Sequence, residues 1–204
     1  MPNVRVSPIS AREAIDAIEI FVAAFMTESA TNYFFPESEG GRADKLRVLF
    51  GWGVEYRLAC GMPVLGAWLE GGLVGAALVR SPAWRQDPPL AQAMWEKVSK
   101  VLGPAANARI DLYDEVQSRN LPEPPHAYLV AIGVLPEHQG QGVGAALIEA
   151  CLEIAESDPV AEGMALDTGS ELSQAYYERF GFRLHAVDRM EEQVMRIMYR
   201  PNTP

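Results

Sequence analysis

Two cysteines and three histidines in 204 residues leave little room for the chemistry those side chains carry. Cys60 and Cys151 lie far apart and outside any metal-ligand spacing, so neither a disulfide framework nor a zinc site is expected, and both read as reduced core residues. His126, His138 and His185 have no metal-ligand spacing either; no metal is expected. Basic residues are the minority sign, 17 against 27 acidic, and the net charge of −10 argues against a nucleic-acid surface and for cationic encounter partners. Long hydrophobic runs are missing too. The longest, such as Ala127 to Leu135, fall short of the roughly 18 residues that suggest a bilayer span, so no membrane partner is expected. Met1 to Arg5 leads into a polar segment with no basic stretch and apolar block behind it, so no export signal is visible and a cytoplasmic location is expected.

What is there suits one folded domain spanning 1–204. Hydrophobic residues at 49% and charged residues at 22% disfavour disorder, collagen-like repeats and coiled coil. Ser10-Ala11-Arg12-Glu13 has the form of a capping box, and Ile15, Ile18, Val22 and Phe25 follow at helical spacing, predicting a first helix to about Met26. Thr31 to Gly41 reads as irregular, with the aromatic cluster Tyr33-Phe34-Phe35 packing beneath a loop or lining a substrate groove. Leu46, Leu49, Phe50 and Val54 mark a second helix. Val64 to Leu69 and Leu73 to Arg80 flank Glu70-Gly71-Gly72 as a β-hairpin. Ser81 to Pro89 is a connector centred on Trp84, and 90–102 and 105–119 look helical before the proline-rich 121–125 stops them. Asp111, Asp114 and Glu115 form an acidic helix face, read as solvated rather than as a cationic-substrate site. Beyond it come a buried-type strand at 126–134, a helix at 142–156, a strand at 164–168, a helix at 171–179 and strands at 182–187 and 193–199, giving a mixed α/β (α+β) sheet in one domain.

The most informative stretch joins the strand at 126–134 to the helix at 142–156: Pro136-Glu137-His138-Gln139-Gly140-Gln141-Gly142-Val143-Gly144. Glycines let the backbone approach a ligand closely, and successive amides at a helix start donate to phosphate oxygens with help from the helix dipole. A purely structural strand-to-helix connection would use glycines as well. Gly140 to Ala145 formally matches the dinucleotide fingerprint, but Pro136-Glu137-His138-Gln139 intervenes after the strand and only about sixty residues follow, where a doubly wound domain usually needs more. The lysine and hydroxyl of a P-loop are missing after Gly144.

Gln139-Gly140-Gln141-Gly142-Val143-Gly144 fits a Q/R-x-x-G-x-G/A pattern, and Tyr177-Glu178-Arg179-Phe180-Gly181-Phe182 fits a Tyr-x-x-x-Gly-Phe segment; with this pair the sequence resembles the GNAT acetyltransferase superfamily. His126-Ala127-Tyr128-Leu129, Gly133-Val134, Leu166-Asp167-Thr168 and Tyr176-Tyr177-Glu178-Arg179 extend the resemblance to its puromycin N-acetyltransferase branch. The match covers about 126–200 and is loose before that. It implies a mostly antiparallel mixed sheet with a splayed central strand pair and helices on both faces, a substrate-side half at 1–125 and an acetyl-CoA-binding half at 126–200.

The resemblance further implies acetyl transfer from acetyl-CoA to a primary amine, of a small molecule, in a ternary complex. The diphosphate would lie on the backbone of Gln139, Gly140, Gln141, Gly142, Val143 and Gly144, and the pantetheine arm along Ile132, Gly133 and Val134, with Val134 N–H as the preferred oxyanion donor. Tyr177 stands where the family carries the acid that protonates the departing thiolate, while Tyr176 points elsewhere on the helix. Asp167 is the first choice of base, through a bridging water because it is one methylene shorter than the glutamate common there; a structural role at the strand end is equally open. Ser170 is expected to cap the following helix, with contact to CoA open to it, and His138 to position the loop. A monomer or homodimer is expected. The rival readings are a non-catalytic acyl-CoA-binding regulatory module, a protein N-terminal or lysine acetyltransferase, and a dinucleotide oxidoreductase.

Overall fold

The apolar segments on either side of Glu70 and Gly71 pair as a hairpin in the computed structural model, which describes residues 3–82 and 88–202. Its strands are β2 (Val64–Leu69) and β3 (Gly72–Arg80). The connector residue Trp84 lies outside the described residues. A short strand unforeseen from the sequence, β1 (Arg5–Pro8), runs antiparallel to β2 at the sheet edge, where the Arg5 guanidinium sits 4.4 Å from the Trp68 ring centre. On the far side β3 pairs antiparallel with β4 (Ala127–Val134), and β4 pairs parallel with β5 (Gly163–Thr168). The strands β7 (Gln193–Pro201) and β6 (Arg183–Met190) complete the order β1-β2-β3-β4-β5-β7-β6. The sheet is mixed and mostly antiparallel, with β4–β5 its one parallel pair among the described residues.

That parallel pair is short. Only Ala127, Tyr128 and Leu129 register with Met164, Ala165 and Leu166; beyond Leu129 and Leu166 the two strands part, as the splayed pair was expected to.

Helices cover both faces. On one lie α1 (Ala14–Phe25), α2 (Ser29–Phe34), α3 (Arg42–Ala59), α4 (Pro89–Leu102) and α5 (Pro104–Arg119). Their core stacks Phe21 on Phe50 at 5.0 Å between ring centres, over Leu78 and Ala131 of the sheet. On the other face α6 (Val143–Ser157) inserts Val143, Leu147, Ile148 and Cys151 against Leu129, Met164 and Leu166, with α7 (Glu171–Glu178) beside it. This apolar burial on two faces is what fixes strand register, since a one-residue slip would turn every core side chain to the wrong side.

Two local expectations change. Glu13 reaches back to the Ser10 amide at 2.8 Å, as a capping box requires, but the Glu13 amide bonds the Ser10 carbonyl at 3.1 Å instead of its hydroxyl, and the helix starts at Ala14. α2 runs into the stretch read as irregular, over Thr31 to Phe34, because Glu28 caps it by accepting from the amides of Ala30 at 2.7 Å and Thr31 at 3.2 Å. Tyr33, Phe34 and Phe35 are all buried. Among the described residues no helix is long and apolar enough to cross a membrane.

Candidate active site

The glycine turn begins where β4 ends. A 3-10 turn at Pro136–His138 carries the chain out, and Gly140 and Gly142 then take left-handed conformations at φ 74° and 87°. At both positions the space a side chain would fill is open for at least 4 Å. Helix α6 starts at Val143 with no side chain capping it, and its first internal bond runs from Ala146 N to Gly142 O at 3.0 Å. The amides of Val143, Gly144 and Ala145 are thus free by helix geometry, and among the described residues those of Gly140, Gln141 and Gly142 have no acceptor. The glutamines hold the loop instead of filling it: Gln139 Nε2 donates to Val134 O at 3.3 Å and Gln141 Nε2 to Glu137 O at 3.1 Å. Such an open run of amides at a helix start suits a diphosphate. Val143 is buried beneath it, and a side chain at Gly144 would come within 3.3 Å of the Tyr176 hydroxyl.

The parting of β4 and β5 exposes a second set of backbone groups. Leu135 N donates to Val74 O at 2.9 Å, and with the register Val134 to Gly75, Gly133 to Ala76 and Ile132 to Ala77 this fixes which way each residue faces. In an antiparallel ladder the facing direction alternates, so Ile132 and Val134 turn their amides away from β3, into the gap. Gly133 turns its amide to β3, and its small size serves packing: a Cβ there would lie 3.0 Å from that of Ala24 on α1.

A cavity of about 570 Å³ runs into this gap. Tyr177 and Ser173 line it from the α7 side, while Phe34, Tyr113 and Asp167 line it from the α1–α5 side, so the cavity reaches through the sheet at the split. Tyr177 makes no hydrogen bond among the described residues, and burial, then the nearby Asp167, pushes its hydroxyl pKa up. It stays protonated at neutral pH and is available as a proton donor. Ser170 caps α7 by accepting from Ser173 N at 3.3 Å, as expected.

Asp167 projects from β5 just past the last paired residue. Its Oδ1 accepts from the Tyr128 hydroxyl and, at 3.0 Å, from Gln117 Nε2; its Oδ2 accepts from the Tyr113 hydroxyl. Burial nevertheless holds its carboxyl above the usual carboxylate range, against the lowering effect of those three bonds. Burial and the Asp167 charge push both tyrosines well above their ordinary values.

The remaining walls are of two kinds. Phe25, Phe34, Phe50, Trp52, Tyr56 and Trp95 form an aromatic side, in which Trp52 is fixed by its indole bond to Ala91 O at 2.9 Å. Glu28, Asp111 and Asp114 add carboxylates, with Arg57 and Arg80 the basic members. The acidic face of α5 is therefore divided: Asp111 and Asp114 border the cavity, whereas Glu115 pairs with Arg119 at 3.9 Å. The sequence reading missed Tyr113, Gln117, Tyr128 and Glu28. Tyr113 and Gln117 share a helix face by their spacing, but nothing local ties that face to Asp167. Among the described residues no group of His, Cys, Asp and Glu has metal-binding geometry.

Known structures share this architecture. The chain superposes on the crystal structure described as histone acetyltransferase HPA2 and related acetyltransferase from Corynebacterium glutamicum with a TM-score of 0.72 and 23% identity, over 100% of this chain and 98% of the other. The polyamine N-acetyltransferase of Drosophila melanogaster gives 0.69 and 16% over 98% and 100%. An agmatine N-acetyltransferase gives 0.66 and 18%, also over 98% and 100%. At these identities the likeness speaks for the fold. The model of the acetyltransferase (GNAT) family matches residues 23–182, which takes in α3, the hairpin, the split strands, the glycine turn and Tyr177. The chain belongs to the acetyltransferase (GNAT) family.

Proposed function

We propose that this chain is an N-acetyltransferase that moves an acetyl group from acetyl-CoA to a primary amine of a small molecule, in a ternary complex. The observation that carries the reading is the cavity through the split, bordered at one end by a tyrosine hydroxyl with no hydrogen-bond partner among the described residues and on its side by a partly buried carboxylate. The family's cosubstrate is acetyl-CoA, and the free amides and open glycine positions of residues 140–145 fit its diphosphate. When bound there it supplies an acetyl thioester.

The chain's own groups have these parts. The backbone from Gln139 to Gly144 holds the phosphates, and Ser170, the cap of α7, adds a contact to CoA. Ile132 and Val134 offer backbone groups to the pantetheine arm. Val134 N–H donates to the developing oxyanion, a contribution on the order of 3 kcal/mol. Tyr177 donates its hydroxyl proton to the departing sulfur, and Asp167 takes the proton the amine loses.

Acceptor chemistry follows from the walls. The aromatic side favours an amine with a flat apolar body, and the carboxylates favour its cationic form on approach. An aminonucleoside, the acceptor implied by the puromycin N-acetyltransferase resemblance, is one such molecule; phenethylamine is a simple probe. The test is thiol release from acetyl-CoA across a panel of amines that includes phenethylamine, agmatine and a lysine peptide. Release with a flat-bodied amine supports the reading. CoA binding in calorimetry with no release from any amine would instead favour a non-catalytic acyl-CoA-binding module.

A further inference from the structure

Asp167 is too well supplied with hydrogen-bond donors to be a plain base. Three donors converge on it, so an incoming ammonium meets tyrosine hydroxyls around the carboxylate as well as the carboxylate itself. A tyrosine O–H that donates to Asp167 still has lone pairs with which to accept. The two tyrosines differ. Tyr128 lines the cavity too, but it shares Oδ1 with Gln117 and is only 2% exposed, so it offers a ligand less surface. Among the described residues Tyr113 is the sole donor to Oδ2; it is partly exposed and lines the cavity beside Asp114 and the edge of Phe34, whose ring centre is 5.0 Å away.

We propose that Tyr113 is the proton relay of this site, passing the substrate ammonium's proton to Asp167 Oδ2 while Tyr128 and Gln117 hold Oδ1. The inference rests on the reading of Asp167 as the base. In the step, an N–H bond of the ammonium breaks as an O–H bond forms on the Tyr113 oxygen. The original Tyr113 O–H breaks at the same time as Oδ2–H forms. Tyr113 is neutral before and after, the amine is left with its lone pair, and the net change is one proton moved from substrate to Asp167. Oδ2 is the better recipient because Oδ1 accepts from two donors, which lowers its basicity, whereas Oδ2 accepts from Tyr113, along whose bond the proton moves.

The surroundings are consistent with a carboxylate that receives a proton. Tyr113 and Gln117 face it from α5, Tyr128 from β4 and Tyr177 from α7. Glu28 and Asp114 add negative charge around these tyrosines, and Arg80 stands 5.3 Å from the centre of the Tyr128 ring. Burial holds Asp167 above the usual carboxylate range, which narrows the gap to the ammonium.

The test compares Tyr113→Phe, Tyr128→Phe and Asp167→Asn with the parent, using phenethylamine and β,β-difluorophenethylamine, whose fluorines lower the basicity of the amine. Tyr113→Phe should lower kcat/KM for phenethylamine at neutral pH by at least about tenfold, within the usual range for proton-transfer catalysis. The loss should shrink as pH rises and be smaller for the fluorinated amine, which arrives largely deprotonated. Acetyl-CoA affinity in calorimetry should not change. Equal losses for both amines at every pH would overturn the relay, as would a Tyr128→Phe loss of the same size and pH dependence. If Asp167→Asn flattens the acidic limb while Tyr113→Phe leaves kcat/KM unchanged, the relay fails and the base reading stands. If neither variant alters the limb, both fail. No thiol release from either amine by the parent removes the proposed function and the relay together.

Discussion

The Tyr128 hydroxyl on β4 donates to the Asp167 carboxylate on β5 at the point where the two strands stop pairing. Backbone pairing ends at Leu129 and Leu166, and one residue further along β5 this side-chain bond, with those from Tyr113 and Gln117 of α5, converges on Asp167. The residues that bridge the strands at the mouth of the gap thus place a carboxylate beside it, and the consequences can be measured.

Tyr177→Phe removes the hydroxyl that meets no partner within the described residues. It should lower kcat by at least about tenfold and leave acetyl-CoA affinity nearly unchanged, because an acid acts chiefly in the transition state. Steady-state kinetics beside calorimetry checks this; an undiminished kcat removes the acid assignment.

Gly142→Glu places a side chain and a negative charge where the chain runs at φ 87° over open space. CoA binding in calorimetry should disappear, through backbone strain and repulsion of the diphosphate, while far-UV circular dichroism keeps the parent's shape. Retained affinity would move the phosphates elsewhere.

Asp167→Asn tests the base. Burial raises the carboxyl above the usual range, so on lowering the pH it takes up a proton earlier than an exposed aspartate would and loses its power to accept another. In the parent, kcat/KM should therefore rise with pH across the acidic limb, at a pH higher than an ordinary carboxylate would give. The asparagine variant should flatten that limb; an unchanged profile returns Asp167 to a structural role.

Cys151 is fully buried on α6 and its thiol is pushed up to about 12 by burial, so almost no thiolate is present at neutral pH. Iodoacetamide should label the native protein at the partly exposed Cys60 alone, and both cysteines in denaturant, as read by mass spectrometry. Native labelling of Cys151 would mean that α6 opens readily.

Phe21→Ala deletes a fully buried ring stacked on Phe50. The loss should be about 3–5 kcal/mol in chemical denaturation, read as a fall in the midpoint at constant slope. A loss well below 1 kcal/mol would show that this core collapses around the gap.

Much of this was legible from residue order, for identifiable reasons. The glycine turn and Ser170 stand out because their chemistry is local: open amides at a helix start and a capping hydroxyl need only neighbours in sequence, whereas Tyr177 was picked out through the family resemblance. The strands from 127 onward read well because each carries its own apolar pattern. Asp167 was identified as a candidate, but its setting was not, since Tyr113, Gln117 and Tyr128 reach it across sequence separations of 54, 50 and 39 residues. The acidic face of α5 read as solvated because helical period alone does not say which flank meets a cavity. Strand β1 escaped notice for being four residues long and half exposed, and α2 because its start is set by one carboxylate, Glu28.

The brevity of the β4–β5 register has a mechanical side as well. A block of four strands and a block of three are stitched along one seam by three residue pairs, so the ladder is thinnest where the cavity crosses the sheet. Whatever molecule spans that seam adds the missing rungs, and heat resistance should climb with its concentration as mass action demands.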